Sequence, residues 1–92
     1  MIRSIKGSAT RHFVESGKSK FSGLDAALAR QRLAELNAAT SLTALLPLRS
    51  IGLHKLKGDR AGRWAIRING PWRIVFRFDE GNAYEVEIVD YH

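Results

Sequence analysis

The run Trp64-Ala65-Ile66-Arg67-Ile68-Asn69-Gly70-Pro71-Trp72-Arg73-Ile74-Val75-Phe76-Arg77-Phe78-Asp79-Glu80-Gly81-Asn82-Ala83-Tyr84-Glu85-Val86-Glu87-Ile88 decides the fold. Trp64, Ile66 and Ile68 recur at every second position, as do Trp72, Ile74, Phe76 and Phe78, and then Tyr84, Val86 and Ile88. A period of two places each set on one face of a strand. Asn69-Gly70 marks the first turn, with Pro71 just after it where a missing N–H is tolerated. Asp79-Glu80-Gly81-Asn82 makes the second turn. Two consecutive hairpins give an antiparallel meander with one apolar and one polar face. Arg67, Arg73, Arg77, Glu85 and Glu87 fall on the polar side. Cross-strand pairing of Arg67 and Arg77 with these glutamates accounts for that side as well as a functional role does.

Upstream, Ile2 to Ile5 reads as a short strand ended by Gly7, which brings the sheet to about four strands. Ser8 offers a helix cap and Gly17 a stop around residues 9–15. Ser22 with Asp25 three residues later reads as a capping box that opens a second helix. Its stripe is Ala26, Ala29, Leu33, Leu36 and Thr40, with Arg30, Arg32 and Glu35 outside it and Leu24 and Leu28 widening the contact. Pro47 and Gly52 interrupt residues 41–62, where Leu53-His54-Lys55-Leu56-Lys57 is extended in pattern. The expected class is α+β: a twisted antiparallel sheet of about four strands with two helices from the N-terminal half packed on one face.

A chain of 92 residues is expected to form one domain, residues 1–92. Its content, 45% hydrophobic and 26% charged, is that of a globular protein and too apolar for disorder. The absence of cysteine excludes a disulfide scaffold, a thiolate metal site and a cysteine nucleophile. The net charge is +6, and ten of the fifteen cations are arginine, the side chain that grips phosphate bidentately. This charge points to nucleic acid or an acidic protein partner. The N-terminus shows no apolar leader and no stretch is long enough to span a bilayer, so no membrane association is expected and the expected location is cytoplasmic.

No two of His12, His54 and His92 stand at ligand spacing, so no metal and no cofactor are expected. No serine sits in a nucleophile elbow, and no glycine-rich phosphate loop is present. His12 reads as a packing or solvent-facing residue of the first helix. His54 stands in a basic loop, His54-Lys55-Leu56-Lys57, and the last strand runs into Val89-Asp90-Tyr91-His92. Acid/base groups, a phenol and surrounding cations are the kit for cleaving RNA without metal. A base takes the 2′-OH proton, cations stabilise the phosphorane, and an acid protonates the leaving 5′-oxygen.

Leu53-His54-Lys55-Leu56-Lys57-Gly58-Asp59-Arg60-Ala61-Gly62-Arg63-Trp64, then Ile68-Asn69 through Trp72-Arg73-Ile74-Val75-Phe76, then Val89-Asp90-Tyr91-His92, resembles the HigB toxins of the RelE/ParE superfamily. The resemblance covers essentially the whole chain and implies a RelE-like fold. It implies a toxin of a type II toxin–antitoxin system: a ribosome-dependent mRNA endoribonuclease cutting codons in the decoding site. Its implied partners are a HigA-type helix-turn-helix antitoxin, the ribosome and mRNA, with operator DNA reached only through the antitoxin complex. By the same resemblance, His54 and His92 are candidates for acid/base work and Asp90 for orienting an imidazole. Tyr91 would stack on a base or bond near the scissile phosphate, while Lys57 and Arg73 would hold phosphate. Strand alternation gives Asp90 and His92 the parity of Val86 and Ile88, so these residues reach a polar-face site only through a bulge or a departure from the sheet.

Two other readings share these residues. A non-catalytic ParE-like toxin would inhibit DNA gyrase or another protein target and leave mRNA intact. A plain nucleic-acid-binding module would carry a base-reading helix, and none is evident.

Overall fold

The computed structural model describes residues 1–45, 52–58 and 62–91. The chain forms helix α1 (Ser8–Ser16), helix α2 (Ala26–Ala38) and a 3-10 turn (Leu42–Ala44). Strands β1 (His54–Lys55), β2 (Trp64–Arg67), β3 (Trp72–Asp79) and β4 (Asn82–Asp90) follow. The strands make one antiparallel sheet in the order β1-β2-β3-β4. The α+β architecture with two helices ahead of a four-stranded sheet is therefore as the patterning predicts. Phe13 of α1 and Ala29, Leu33 and Leu36 of α2 bury against Ile66, Ile74, Phe76, Ala83, Val86 and Ile88. Such burial is worth about 1.5–3 kcal/mol for each large side chain. Among the described residues no helix is long and apolar enough to cross a membrane.

The fourth strand is not the expected one. Residues 2–5 make only isolated parallel bridges, Ile2 to Ala83 and Ile5 to Val86, while His54–Lys55 supplies the edge strand beside β2. The N-terminal segment nonetheless covers the outer edge of β4. Ala83 N–H donates to Met1 O at 2.9 Å, Val86 N–H to Ser4 O at 3.0 Å, and Lys6 N–H to Val86 O at 2.9 Å. Glu85 N–H donates to Ser4 Oγ at 2.8 Å and Ile88 N–H to Thr10 Oγ1 at 3.1 Å. An edge satisfied in this way offers few backbone groups to another chain.

A bulge corrects the expected face of Tyr84. Val75 pairs with Glu87 but Arg77 pairs with Tyr84, so Glu85 and Val86 together oppose Phe76. Glu85 adopts φ 53 to accommodate the extra residue. Tyr84 consequently lies beside Arg77, whose guanidinium carbon is 4.8 Å from its ring centroid, and Ala83 joins Val86 and Ile88 in the core.

The start of α2 also differs. Asp25 itself is the N-cap, its Oδ1 accepting from Leu28 N–H at 3.0 Å, where Ser22 was expected. The cause is tertiary: Asn69 Oδ1 accepts from Asp25 N–H at 2.8 Å and Asn69 Nδ2 donates to Gly23 O at 3.0 Å. Trp72 Nε1 adds a bond to Ser22 O at 3.1 Å, which fixes residues 22–25 to the β2–β3 turn. Ala29, Leu33 and Leu36 bury as the stripe predicts, whereas Thr40 is exposed beyond the helix. Arg32, expected on the outer face, is buried and donates to Glu35 at 2.7 Å.

Candidate active site

Backbone register places the polar side of the sheet residue by residue. Directly opposed residues share a face, so His54, Ala65, Val75 and Glu87 form one row across the four strands. Arg67, Arg73 and Val89 form the next row toward the β2–β3 turn. Leu56, Ala65 and Val75 are buried together here with Val89 packed against them, a small apolar floor on the side away from the helices.

His54 and Tyr91 come from opposite ends of the sheet order and meet above this floor. Their ring centroids are 6.4 Å apart with planes inclined at 69°, an edge-to-face arrangement. Tyr91 is anchored just beyond β4 by its N–H, which donates to Pro71 O at 2.8 Å, and its side chain is exposed. His54 Nδ1 lies 3.2 Å from Gly52 O. A carbonyl only accepts, so Nδ1 carries the proton, and in the neutral ring Nε2 is left as the basic nitrogen.

Arg73 is half-buried and curls toward the turn, its Nη1 donating to Gly70 O at 2.8 Å and to Trp72 O at 2.9 Å. These bonds hold its guanidinium beside the Gly70-Pro71 backbone on which Tyr91 is anchored. Lys57 is exposed two residues past the β1 pairing. Asp90 is the last residue of β4 and pairs with Trp72, which gives it the parity of the helix side, whereas Tyr91 has the parity of Val89. The bulge lies upstream at Glu85 and does not reverse this relation. His92 lies outside the described residues. Of the residues singled out in the sequence, the structure thus gathers His54, Tyr91 and Arg73, with Lys57 at the adjoining edge.

In the sequence, Arg67 stands equally as a glutamate partner or as a functional cation. It stands directly opposite Arg73, and its side chain runs along Gly52: a Cβ there would lie 3.5 Å from Arg67 Cβ and 3.7 Å from its Nε. Gly52 therefore lies beside the Arg67 side chain and accepts the His54 Nδ1 bond. The expected glutamate pairing is replaced by Arg63 with Glu85 and by Arg77 on the Tyr84 ring. Hydrogen bonding and charge from Arg63 hold the Glu85 carboxyl below its usual range, with smaller help from Arg77 and Lys6.

Two helices on a four-stranded antiparallel sheet are consistent with the RelE-like toxins, and comparison with known proteins agrees. The family model described as RelE-like toxin of type II toxin–antitoxin system HigB matches residues 4–92. A Proteus vulgaris protein named Endoribonuclease HigB is 37% identical over 93 residues, spanning the full length of both chains. The chain belongs to the HigB-like family of type II toxins.

Proposed function

We propose that this toxin is an endoribonuclease that cuts translated mRNA on the ribosome, using its own side chains for acid/base catalysis at the His54–Tyr91 pair. The observation that carries the reading is the meeting of His54 and Tyr91 over the apolar floor, with Arg73 held at the adjoining turn. Its similarity to a relative named as an endoribonuclease supports the same chemistry.

In this mechanism His54 Nε2 removes the 2′-OH proton of the nucleotide before the scissile bond. The 2′-oxygen attacks phosphorus and the bond to the 5′-oxygen breaks, leaving a 2′,3′-cyclic phosphate and a 5′-OH. Arg73 and Lys57 stabilise the charge that develops on the phosphoryl oxygens. Tyr91 stacks on a neighbouring base, a contact worth about 1–3 kcal/mol. By the family resemblance, His92 protonates the departing 5′-oxygen and Asp90 orients an imidazole, reaching it around the end of β4 rather than from the polar face. The partners are the ribosomal decoding site with its mRNA and a HigA-type helix-turn-helix antitoxin, through which operator DNA is bound. The setting is the cytoplasm, and the 92 residues act as one domain.

Brief induction followed by primer extension on translated mRNA tests this reading. New 5′-OH ends should accumulate with wild type and fall away with His54→Gln. Intact mRNA accompanied by a DNA-damage response would overturn it in favour of a gyrase inhibitor.

A further inference from the structure

Arg67 and Arg73 are Cα partners across the β2–β3 hairpin, so their side chains leave the same face about 5 Å apart. Like charges in direct opposition destabilise a sheet unless something lies between or beside them. Carboxylates on this side do not serve. Glu85 pairs with Arg63, and Glu87 Oε2 points toward the start of α1, where it would sit 3.5 Å from a Cβ on Gly7. Neither ion pair between described residues, Arg32–Glu35 or Arg63–Glu85, includes Arg67 or Arg73.

Backbone surrounds both arginines instead, by hydrogen bonds at Arg73 and by close approach at Arg67. Arg73 is fixed to the turn carbonyls, and Arg67 lies along Gly52, whose positive φ of 58 suits the residue without a side chain that this approach needs. Gly52 also receives the His54 Nδ1 bond, so the Arg67 side chain and the His54 ring lie at the same corner.

We infer that Arg67 and Arg73 form a two-arginine clamp for one phosphodiester of single-stranded RNA, with Arg67 as a phosphate ligand on the His54 side of the site. This inference rests on the nuclease reading for the identity of the ligand and deepens it by adding Arg67 to the site. The guanidinium fork suits a tetrahedral oxyanion, and two forks from opposed positions neutralise the charge that the paired strands would otherwise repel.

The probe is a 2′-O-methyl RNA hexanucleotide, which binds but cannot be cut because its attacking oxygen is capped. Binding to wild type, Arg67→Gln, Arg67→Lys and Arg77→Gln is measured as a function of salt. Loss of one phosphate contact on a single strand should reduce the log–log salt slope by about 0.7. Arg67→Gln should show that reduction and bind roughly tenfold more weakly at fixed salt, as expected for a lost charged hydrogen bond. Arg67→Lys should keep the slope. Arg77→Gln removes the same unit of charge from a residue stacked on Tyr84 and should leave the slope unchanged. A reduction shared equally by Arg67→Gln and Arg77→Gln, or no binding by wild type, overturns the clamp. The nuclease reading is judged separately on the same proteins, by whether induced wild type cuts mRNA. A wild type that binds the hexanucleotide through Arg67 but leaves mRNA whole keeps the clamp and sinks the nuclease.

Discussion

Thr10→Val isolates one bond that holds the strand leading to Tyr91. Thr10 is 2% exposed, and its Oγ1 accepts from Ile88 N–H at 3.1 Å, two residues before Asp90 and three before Tyr91. Valine has the same shape and a similar helix propensity, so the substitution opens no cavity and leaves α1 intact. It does leave the Ile88 N–H buried without an acceptor, which costs about 1–3 kcal/mol. A 92-residue domain has a total stability of roughly 5–14 kcal/mol, so this is a sizeable share. At about 4–8 °C per kcal/mol, thermal melting should shift down by roughly 10 °C for a 2 kcal/mol loss. Hydrogen exchange should locate the effect, with the Ile88 amide losing protection while the Ile66 and Ile74 amides follow global stability only. Thr10→Ser keeps the acceptor and loses a methyl group, about 1 kcal/mol, and should leave Ile88 protected relative to its neighbours. A Thr10→Val protein that melts at the wild-type temperature with Ile88 still protected would show that the Thr10 bond does not hold β4.

Glu85 has a lowered folded-state pKa because of Arg63, so the pair stabilises the fold above the unfolded carboxylate range and that contribution fades as acid titrates through the lower folded value. Glu85→Gln should therefore be less stable than wild type at neutral pH, and the gap should close below about pH 4, read by urea melts across pH. Gly52→Ala places a methyl group against Arg67 at a positive φ, a backbone strain of about 1–2 kcal/mol; it should lower melting temperature and weaken RNA binding together. Tyr91→Ala should weaken binding of the uncleavable hexanucleotide roughly tenfold, whereas Tyr91→Phe should bind as wild type if stacking is the role, both read by fluorescence titration.

The hairpins were legible because alternation and turn chemistry agree: Asn69 opens the first turn, and Glu80 and Gly81, at φ 47 and 81, make the tight second one. What alternation hides is an inserted residue. Glu85-Val86-Glu87-Ile88 reads as a regular strand, and nothing in that run alone shows that Tyr84 belongs to the opposite side. A signal does exist in spacing. Ile2 and Ile5 are three apart, as are Ala83 and Val86, and these are the residues that pair across the bulge. The choice of Asp25 over Ser22 as a cap is settled by Asn69, which is 44 residues away from Asp25 in the chain. No local reading contains that contact.

The candidate site shows the same division. Residue types mark His54 and Tyr91, and the family resemblance adds Arg73, but their meeting depends on the sheet order that sets β1 and β4 at opposite edges with side chains reaching across β2 and β3. Arg67 stays between two readings in the sequence because glutamates on the same side offer it a partner. Only the register shows that its opposite number is another arginine.

The most direct test of the account is the single-turnover cleavage rate of an mRNA codon held in the decoding site of purified ribosomes, with wild type compared against His54→Gln. A general base contributes about 10²–10⁴-fold, so the variant should slow by that factor while still binding the programmed ribosome. Cleavage by His54→Gln at the wild-type rate would contradict the placement of the reaction at the His54–Tyr91 pair.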